Sequence, residues 1–161
     1  MTTIHTIGHS NHPLDAFIAL LKQQRIVCLV DVRSRPFSRF NPHFNTKRLA
    51  EALNGVGIAY RWAGEYLGGM PAAARQKMGG KPDWSRVAEV PGFGAALDNL
   101  ISDPTRPLAI MCAEENPNHC HRRLLLTPHL LKRGAEVLHI RGDGRIQPEE
   151  ELASPQQELF R

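Results

Sequence analysis

The stretch IVCLVDVRSR, residues 26–35, decides the fold, because a nearly uninterrupted apolar run leads directly into a polar loop. Residues 26–32, in which Asp31 is the only charged residue, have the pattern of a strand buried on both faces of a sheet. Buried strands of this kind are typical of parallel sheets whose faces are covered by helices. Shorter apolar runs predict four further strands, at residues 4–7, 58–61, 107–112 and 136–140.

Helical periods lie between these apolar runs. The first of them brings Leu14, Ile18 and Leu21 to one helix face. The alternation of strands and helices predicts an α/β fold: a single three-layer domain with a mainly parallel sheet of about five strands and helices on both faces. The other predicted helices lie near residues 49–56, 93–101 and 118–133, the last interrupted by Pro128.

The chain has 161 residues, a length that fits one domain. We predict a single α/β domain over residues 1–145 and a polar C-terminal tail over residues 146–161. Residues 62–90, rich in Gly, Pro and small side chains, are predicted to form a long loop. The chain shows no signal-like start, no apolar run long enough for a membrane span and only three cysteines, so we expect a cytoplasmic protein with no membrane partner.

Charge is distributed unevenly along the chain. Lysines and arginines exceed acids by four overall, but residues 33–48 hold five basic side chains and no acid. Such a local excess favours an anionic partner. The five basic residues are Arg33, Arg35, Arg39, Lys47 and Arg48.

Polar residues follow several of the predicted strands. Because ligands of parallel α/β sheets bind beyond the carboxyl ends of the strands, we expect these residues to gather on one rim and to form a shared pocket. His9 is suited to proton transfer near neutral pH, and Asp31 to orienting a histidine or to pairing with an arginine. Arginine forks match phosphate or carboxylate oxygens. The residues concerned are His9 and Ser10 after the first strand, Asp31, Arg33 and Arg35 after the second, and Cys112 and Glu114 after the fourth.

The segment MCAEENPNHCHRR, residues 111–123, concentrates reactive side chains at a predicted strand end. A thiolate nucleophile at Cys112 is one interpretation, since helix N-termini and cations favour thiolates. The ten residues from Cys112 to Arg122, without glycine, are longer than the cradle of a phosphatase or rhodanese loop. A zinc site and a redox pair with Cys120 remain alternatives, although neither the paired spacing of zinc ligands nor C-x-x-C is present.

Taken together, several of these segments resemble the domain-of-unknown-function 488 family of bacteria and archaea. The likeness covers roughly residues 4–140 and implies a compact α/β domain, while the family name records no established activity. The segments are TIGHS at 6–10, LVDVR at 29–33, P-x-S at 36–38, P-x-F at 42–44, G-I-x-Y at 57–60, LGG at 67–69 and C-A-E-x5-C-H-R at 112–122. The resemblance marks the same strand-end residues, namely His9, Ser10, Asp31, Arg33, Cys112, Glu114, Cys120, His121 and Arg122.

The function favoured by the sequence is a small enzyme or ligand-binding domain with a phosphate-like anion site, acting as a cysteine- or histidine-dependent hydrolase or transferase on an anionic small molecule or nucleotide. Its catalytic residues would be Cys112, His9 and Asp31. Its substrate-binding residues would be Ser10, Arg33, Arg35, Glu114, Cys120, His121 and Arg122. No metal ligand is assigned, and the sequence identifies neither a cofactor nor an oligomeric state.

Two other functions stay open. The first is a nucleic-acid-binding module in which the basic loop 33–48 grips phosphates. Phe37, Phe40 and Phe44 could stack on bases there, but packing beneath the loop is the expectation that we favour. The second is a metal-binding or redox-sensing protein that uses Cys112, Cys120 and a histidine.

Overall fold

The computed structural model of the chain describes residues 2–69 and 84–152. In that part of the chain six strands form one sheet in the order β3-β2-β4-β1-β5-β6. All neighbouring strands are parallel except β6, which runs antiparallel to β5. The strands are β1 (Thr3–Gly8), β2 (Cys28–Asp31), β3 (Ala59–Trp62), β4 (Leu108–Cys112), β5 (Glu136–Ile140) and β6 (Ile146–Pro148).

Helices cover both faces of this sheet. The α-helices are α1 (Leu14–Gln23), α2 (Thr46–Asn54), α3 (Gly64–Leu67), α4 (Trp84–Ala88), α5 (Phe93–Ser102) and α6 (Thr127–Lys132). A π-helical turn, Arg122–Leu126, precedes α6, and Pro128 lies in the first turn of α6. Pro128 therefore stands where its missing N–H costs little, and the predicted long helix is divided at this point.

Alternation along the buried strands builds two separate cores. In β2, Cys28 and Val30 pack with Leu97 of α5, whereas Leu29 packs with Phe17 of α1 on the opposite face. Successive side chains of a strand point to opposite faces, so an entirely apolar strand supplies both cores at once. The three-layer α/β arrangement predicted from residues 26–32 is thus confirmed.

The predicted elements differ from the structure mainly at the C-terminus. All five predicted strands are present, and residues 146–148, at the start of the predicted polar tail, add β6 beside β5. The division into a domain and a tail stays a prediction. In the predicted loop 62–90, α3 and α4 form near the two ends, while residues 70–83 lie outside the described residues, as do 153–161. No helix of the described ranges combines the length and apolar character that crossing a membrane would require.

Strand register brings the carboxyl ends of β1, β2 and β4 together. Gly8 stands opposite Cys112, and Asp31 opposite Met111. The loop after β4 then passes directly over β1, where a Cβ on Gly8 would lie 1.7 Å from the carbonyl oxygen of Glu114. Only glycine tolerates so close a backbone approach. The convergence of strand ends that the sequence predicts is therefore confirmed.

Candidate functional site

A cleft of about 370 Å³ opens at this edge of the sheet. Its walls come from the loop after β2, from the loop after β4 and from the segment that leads into the π-helical turn. Both cysteines of the 111–123 segment line it. The cleft is lined by Arg33, Ser34, Arg35, Phe37, Gly69, Trp84, Cys112, Ala113, Glu114, His119, Cys120 and His121.

The two cysteines of the cleft are joined by a disulfide bond. Cys112 is the last residue of β4, and Cys120 lies eight positions later, two residues before the π-helical turn begins. Both are almost fully buried, with 2% and 4% of their surfaces exposed. The third cysteine, Cys28, is a free buried thiol at the other end of the sheet. A disulfide bond thus borders the cleft.

Arg122 lies directly behind Cys112. One Nη1 N–H donates to the Sγ of Cys112 at 2.9 Å, and Nη1 also contacts the carbonyl oxygen of Glu114. Nη2 donates to the carbonyl oxygen of Glu115 at 2.8 Å, and Nε donates to Oγ1 of Thr6 at 3.1 Å. The side chain is completely buried. Its guanidinium is therefore held rigidly against the sulfur.

None of the acceptors that contact the Arg122 guanidinium is a carboxylate. Within residues 2–69 and 84–152, no carboxylate lies within ion-pair distance of this group. Burial lowers the pKa of Arg122 to about 10, while the charge of Glu115 acts in the opposite direction. The guanidinium stays protonated at neutral pH, so a buried positive charge faces a sulfur atom and carbonyl dipoles.

His121 lies beside the other sulfur. Its Nε2 lies 3.0 Å from the carbonyl oxygen of Val32 and 3.1 Å from that of Leu67. Because carbonyls only accept, Nε2 carries the proton and Nδ1 is left as an acceptor. Nδ1 lies 3.8 Å from Sγ of Cys120. Burial lowers the pKa of His121 to about 4, so the ring is neutral at pH 7 and can accept a hydrogen bond from a reduced Cys120.

A second arginine cluster lies beside the cleft and is built differently. Arg33 donates from Nε to Oδ1 of Asp31 at 2.9 Å and from Nη2 to Oδ2 at 2.7 Å. Its Nη2 also donates to the carbonyl oxygen of Phe44 at 2.7 Å. The hydroxyl of Tyr60 donates to Asp31 at 2.6 Å, and burial together with that carboxylate raises the pKa of Tyr60. Both carboxylate oxygens of Asp31 thus already accept hydrogen bonds from Arg33 or Tyr60.

His9 belongs to this second cluster. Its Nδ1 donates to the carbonyl oxygen of Ser10 at 2.8 Å, which leaves Nε2 to accept from Nη1 of Arg33 at 3.3 Å. The ring stacks on Phe44 with centroids 4.5 Å apart. Burial lowers the pKa of His9 to about 4, and the nearby Arg33 charge lowers it further, so the ring is neutral at pH 7.

The structure distributes the predicted site residues over three places. Six of them line the cleft, namely Arg33, Arg35, Cys112, Glu114, Cys120 and His121. Arg122 lies behind the cysteine sulfur, while His9, Ser10 and Asp31 lie outside the cleft lining, beside the Arg33 cluster. The catalytic assignments of His9 and Asp31 stay predictions. Arg35 differs from the other two arginines because its side chain is exposed at the cleft.

Sequence reasoning missed a buried relay behind Arg122. Thr6 accepts from Nε of Arg122, so its hydroxyl donates to Nδ1 of His139 at 2.7 Å. His139 then donates from Nε2 to Glu149 at 2.5 Å. Thr6 and His139 face each other in the register of β1 and β5. Polar residues at matching positions of two buried strands are the signal that could have revealed them.

Glu115 also has a role that the sequence did not indicate. Its position before a helix start suggests a helix cap or dipole partner, but its carboxylate accepts from Arg141 at 2.9 and 3.1 Å and from the backbone N–H of Gly142 at 2.9 Å. These bonds lower the pKa of Glu115 to about 2. The pair fastens the loop after β4 to the turn between β5 and β6, and so fixes the carbonyl that Arg122 contacts.

The metal-binding alternative has no matching cluster of side chains in the part of the chain that the structure describes. There, no three side chains of the types His, Cys, Asp and Glu are grouped so that they could hold a metal ion. The metal-binding alternative therefore stays a prediction from sequence spacing.

Comparison with known proteins gives one match. The family model described as "Domain of unknown function DUF488" matches residues 13–127, a range that includes Arg122 and the two cysteines of the cleft. No curated protein and no solved structure matches the chain. The fold, the strand-end residues and this match over most of the sequence lead to one conclusion: the chain belongs to the DUF488 family.

Proposed function

We propose that the chain is a two-cysteine thiol–disulfide oxidoreductase that acts on a small anionic disulfide bound in the cleft. The observation that carries the proposal is the contact between Arg122 and Cys112: a completely buried guanidinium, without a carboxylate partner among the described residues, donates to the sulfur at 2.9 Å. In the reduced protein a Cys112 thiolate would supply the missing negative charge. Cations beside a thiol favour the reactive thiolate form.

Cys112 acts as the nucleophile in this proposal. Its thiolate attacks one sulfur of the substrate disulfide, forming a mixed disulfide and releasing the other half as a thiolate. The thiolate of Cys120 then attacks Sγ of Cys112, which releases the second half of the substrate as a thiolate and closes the Cys112–Cys120 bond. An external dithiol returns the protein to the reduced state by two exchanges of the same kind. Two electrons pass from that dithiol to the substrate in each cycle.

Other residues of the cleft support the two steps. The neutral ring of His121 accepts from the thiol of Cys120 until that proton leaves to solvent, and its bonds to Val32 and Leu67 keep it in place. Arg35 is exposed at the cleft and suits a carboxylate of the substrate. A hydrolase or transferase, which the sequence suggests, would use the same Cys112 nucleophile, but Cys120 would have no role in its reaction. The bond between the two sulfurs favours the redox reaction.

Oxidised glutathione is a suitable anionic disulfide probe, and hydroxyethyl disulfide is its neutral counterpart. We expect the reduced protein to reduce both with dithiothreitol as the final electron donor. Cys112→Ser should abolish turnover. Cys120→Ser, reduced and freed of dithiothreitol before oxidised glutathione is added, should stop after one step with one glutathionyl group attached to Cys112, detected by mass spectrometry. Cys28→Ser, which changes the buried thiol far from the cleft, is the matched control and should retain activity.

The substrate charge is tested separately. Arg35→Ala should raise KM for oxidised glutathione about tenfold and leave KM for the neutral disulfide unchanged, because one charge-assisted hydrogen bond contributes about 1.5 kcal/mol. Arg145→Ala, at an exposed arginine of the β5–β6 turn, is the control for removal of a surface charge. Turnover that persists in Cys112→Ser would refute the proposal. If Cys120→Ser, freed of dithiothreitol, fails to retain the glutathionyl group, Cys112 does not form the mixed disulfide that the two-cysteine cycle requires.

A further inference from the structure

The loop between β2 and α2, together with the first turn of α2, carries an exposed surface that borders the cleft and shares Arg35 and Phe37 with its lining. It comprises two phenyl rings and four cationic side chains, and we call it the aromatic–basic surface. Phe37 is 64% exposed and Phe40 is 88% exposed, the highest value among the large apolar side chains described. The aromatic–basic surface consists of Arg35, Phe37, Arg39, Phe40, Lys47 and Arg48.

These two rings project from an anchored loop. Phe44, the third phenylalanine of the segment, is fully buried and packs edge-on against Phe17 with ring centroids 5.0 Å apart. The backbone N–H of Ser38 donates to Oδ1 of Asn45 at 2.6 Å, and that of Asn41 donates to Oγ of Ser38 at 3.0 Å. Packing beneath the loop, which we expected for all three phenylalanines, is thus correct for Phe44 and wrong for Phe37 and Phe40.

The charge of this surface has one sign. No acidic residue occurs between Asp31 and Glu51 in the sequence. Arg35, Arg39, Lys47 and Arg48 are all exposed, and in the described residues none of them forms an ion pair. A uniformly positive surface attracts a polyanion at long range.

We propose that the aromatic–basic surface binds single-stranded nucleic acid. Guanidinium and ammonium groups would contact successive phosphates, while unpaired bases stack on Phe37 and Phe40, the combination that single-strand-binding surfaces use. A duplex does not offer its base faces for stacking, so the exposed rings favour the single strand. An anionic membrane fits less well, because residues 35–48 contain no leucine, isoleucine, valine or methionine to enter the lipid.

Fluorescence anisotropy with a labelled thymidine oligonucleotide of about twelve bases tests this proposal, since single-strand sites span several nucleotides. We expect binding by the full chain and at least tenfold weaker binding by the double variant Phe37→Ala/Phe40→Ala, because each stacked base contributes about 1–3 kcal/mol. Arg39→Ala/Arg48→Ala should flatten the dependence of log Kd on log salt by about 1.4, which is about 0.7 for each of the two phosphates that these arginines would neutralise. Leu131→Ala, which removes an exposed apolar side chain elsewhere, is the matched control and should bind normally.

Three outcomes would overturn the inference: no binding of the oligonucleotide, equal affinity of the double phenylalanine variant, or a duplex of the same length bound more tightly than the single strand. Binding to vesicles of phosphatidylserine and phosphatidylcholine in place of the oligonucleotide would assign the surface to membranes and equally refute it. The oligonucleotide contains no disulfide and its binding is measured without turnover, so this test can fail while the proposed redox cycle stands.

Discussion

Two buried arginines lie at the same edge of the sheet, and their surroundings are opposite in kind. Arg33 is neutralised by Asp31 through two hydrogen bonds, and the hydroxyl of Tyr60 donates a further hydrogen bond to the same carboxylate. Arg122 is just as buried but contacts carbonyl oxygens, a hydroxyl and the sulfur of Cys112. A buried charge is stable only when it is paired or well hydrogen-bonded. The first cluster is therefore electrically neutral, whereas the second retains a buried positive charge beside Cys112, where the proposed cycle requires a thiolate.

The largest expected effect on stability comes from removing the carboxylate that neutralises Arg33. Asp31→Asn leaves the guanidinium of Arg33 buried without a counter-charge, and we expect the free energy of unfolding to fall by about 4 kcal/mol. Urea denaturation of the variant and of the unaltered chain measures the difference. Asp143→Asn, which removes an exposed partner of Arg145, should cost less than about 1 kcal/mol and serves as the control.

The double variant Asp31→Asn/Arg33→Met sharpens this prediction. Removing both charges together should recover part of the stability, since the uncompensated guanidinium is gone. If Asp31→Asn unfolds no more easily than the control variant, Arg33 is not a neutralised structural charge and the contrast with Arg122 fails.

A smaller effect is expected from the histidines of the two clusters. The pKa values of His9 and His121 are both lowered from 6.5 to about 4, so the folded state holds both rings neutral. Their contribution to stability is complete above pH 6.5 and decreases as the pH falls toward 4, because the unfolded chain takes up protons first. Over this range His9 should account for a decrease of about 3 kcal/mol in the free energy of unfolding, and the partly exposed His121 for less.

Urea denaturation at pH 7 and pH 4 measures this decrease. His9→Asn should show a decrease smaller than that of the unaltered chain by about 3 kcal/mol, since asparagine does not titrate. An unchanged pH dependence in His9→Asn would show that His9 takes up its proton without disrupting the fold.

The fold could be predicted from the sequence because its signals are local. The run at residues 26–32 and the helical periods depend only on neighbouring residues, so the α/β class and the strand ends followed directly. The contacts of the arginines could not be predicted, because the positions of Arg33 and Arg122 in the sequence do not show whether a guanidinium faces the cleft or the protein interior. The pairing of Thr6 with His139 depends on β1 lying between β4 and β5, a strand order that no local pattern contains.

The remaining prediction concerns the disulfide bond beside Arg122 and involves the smallest change in the free energy of unfolding. The Cys112–Cys120 bond closes a loop with a sequence separation of eight residues. For a loop of this size the restriction of the unfolded chain contributes about 2.5 kcal/mol. We therefore expect dithiothreitol to lower the free energy of unfolding of the oxidised protein by that amount at pH 7, as measured by urea denaturation before and after reduction.

Variants distinguish this destabilisation from a general effect of the reductant. Cys120→Ser has no bond to break, so its stability should be the same with and without dithiothreitol, whereas Cys28→Ser should be destabilised as much as the unaltered chain. In the proposed cycle Arg122 limits the destabilisation, because its guanidinium, 2.9 Å from Sγ of Cys112 in the oxidised protein, would stabilise a thiolate there after reduction. At pH 5, where less thiolate forms, the destabilisation on reduction should therefore be larger than at pH 8. The opposite order would mean that Arg122 does not hold a thiolate, and the contrast between the two arginines would then have no chemical consequence.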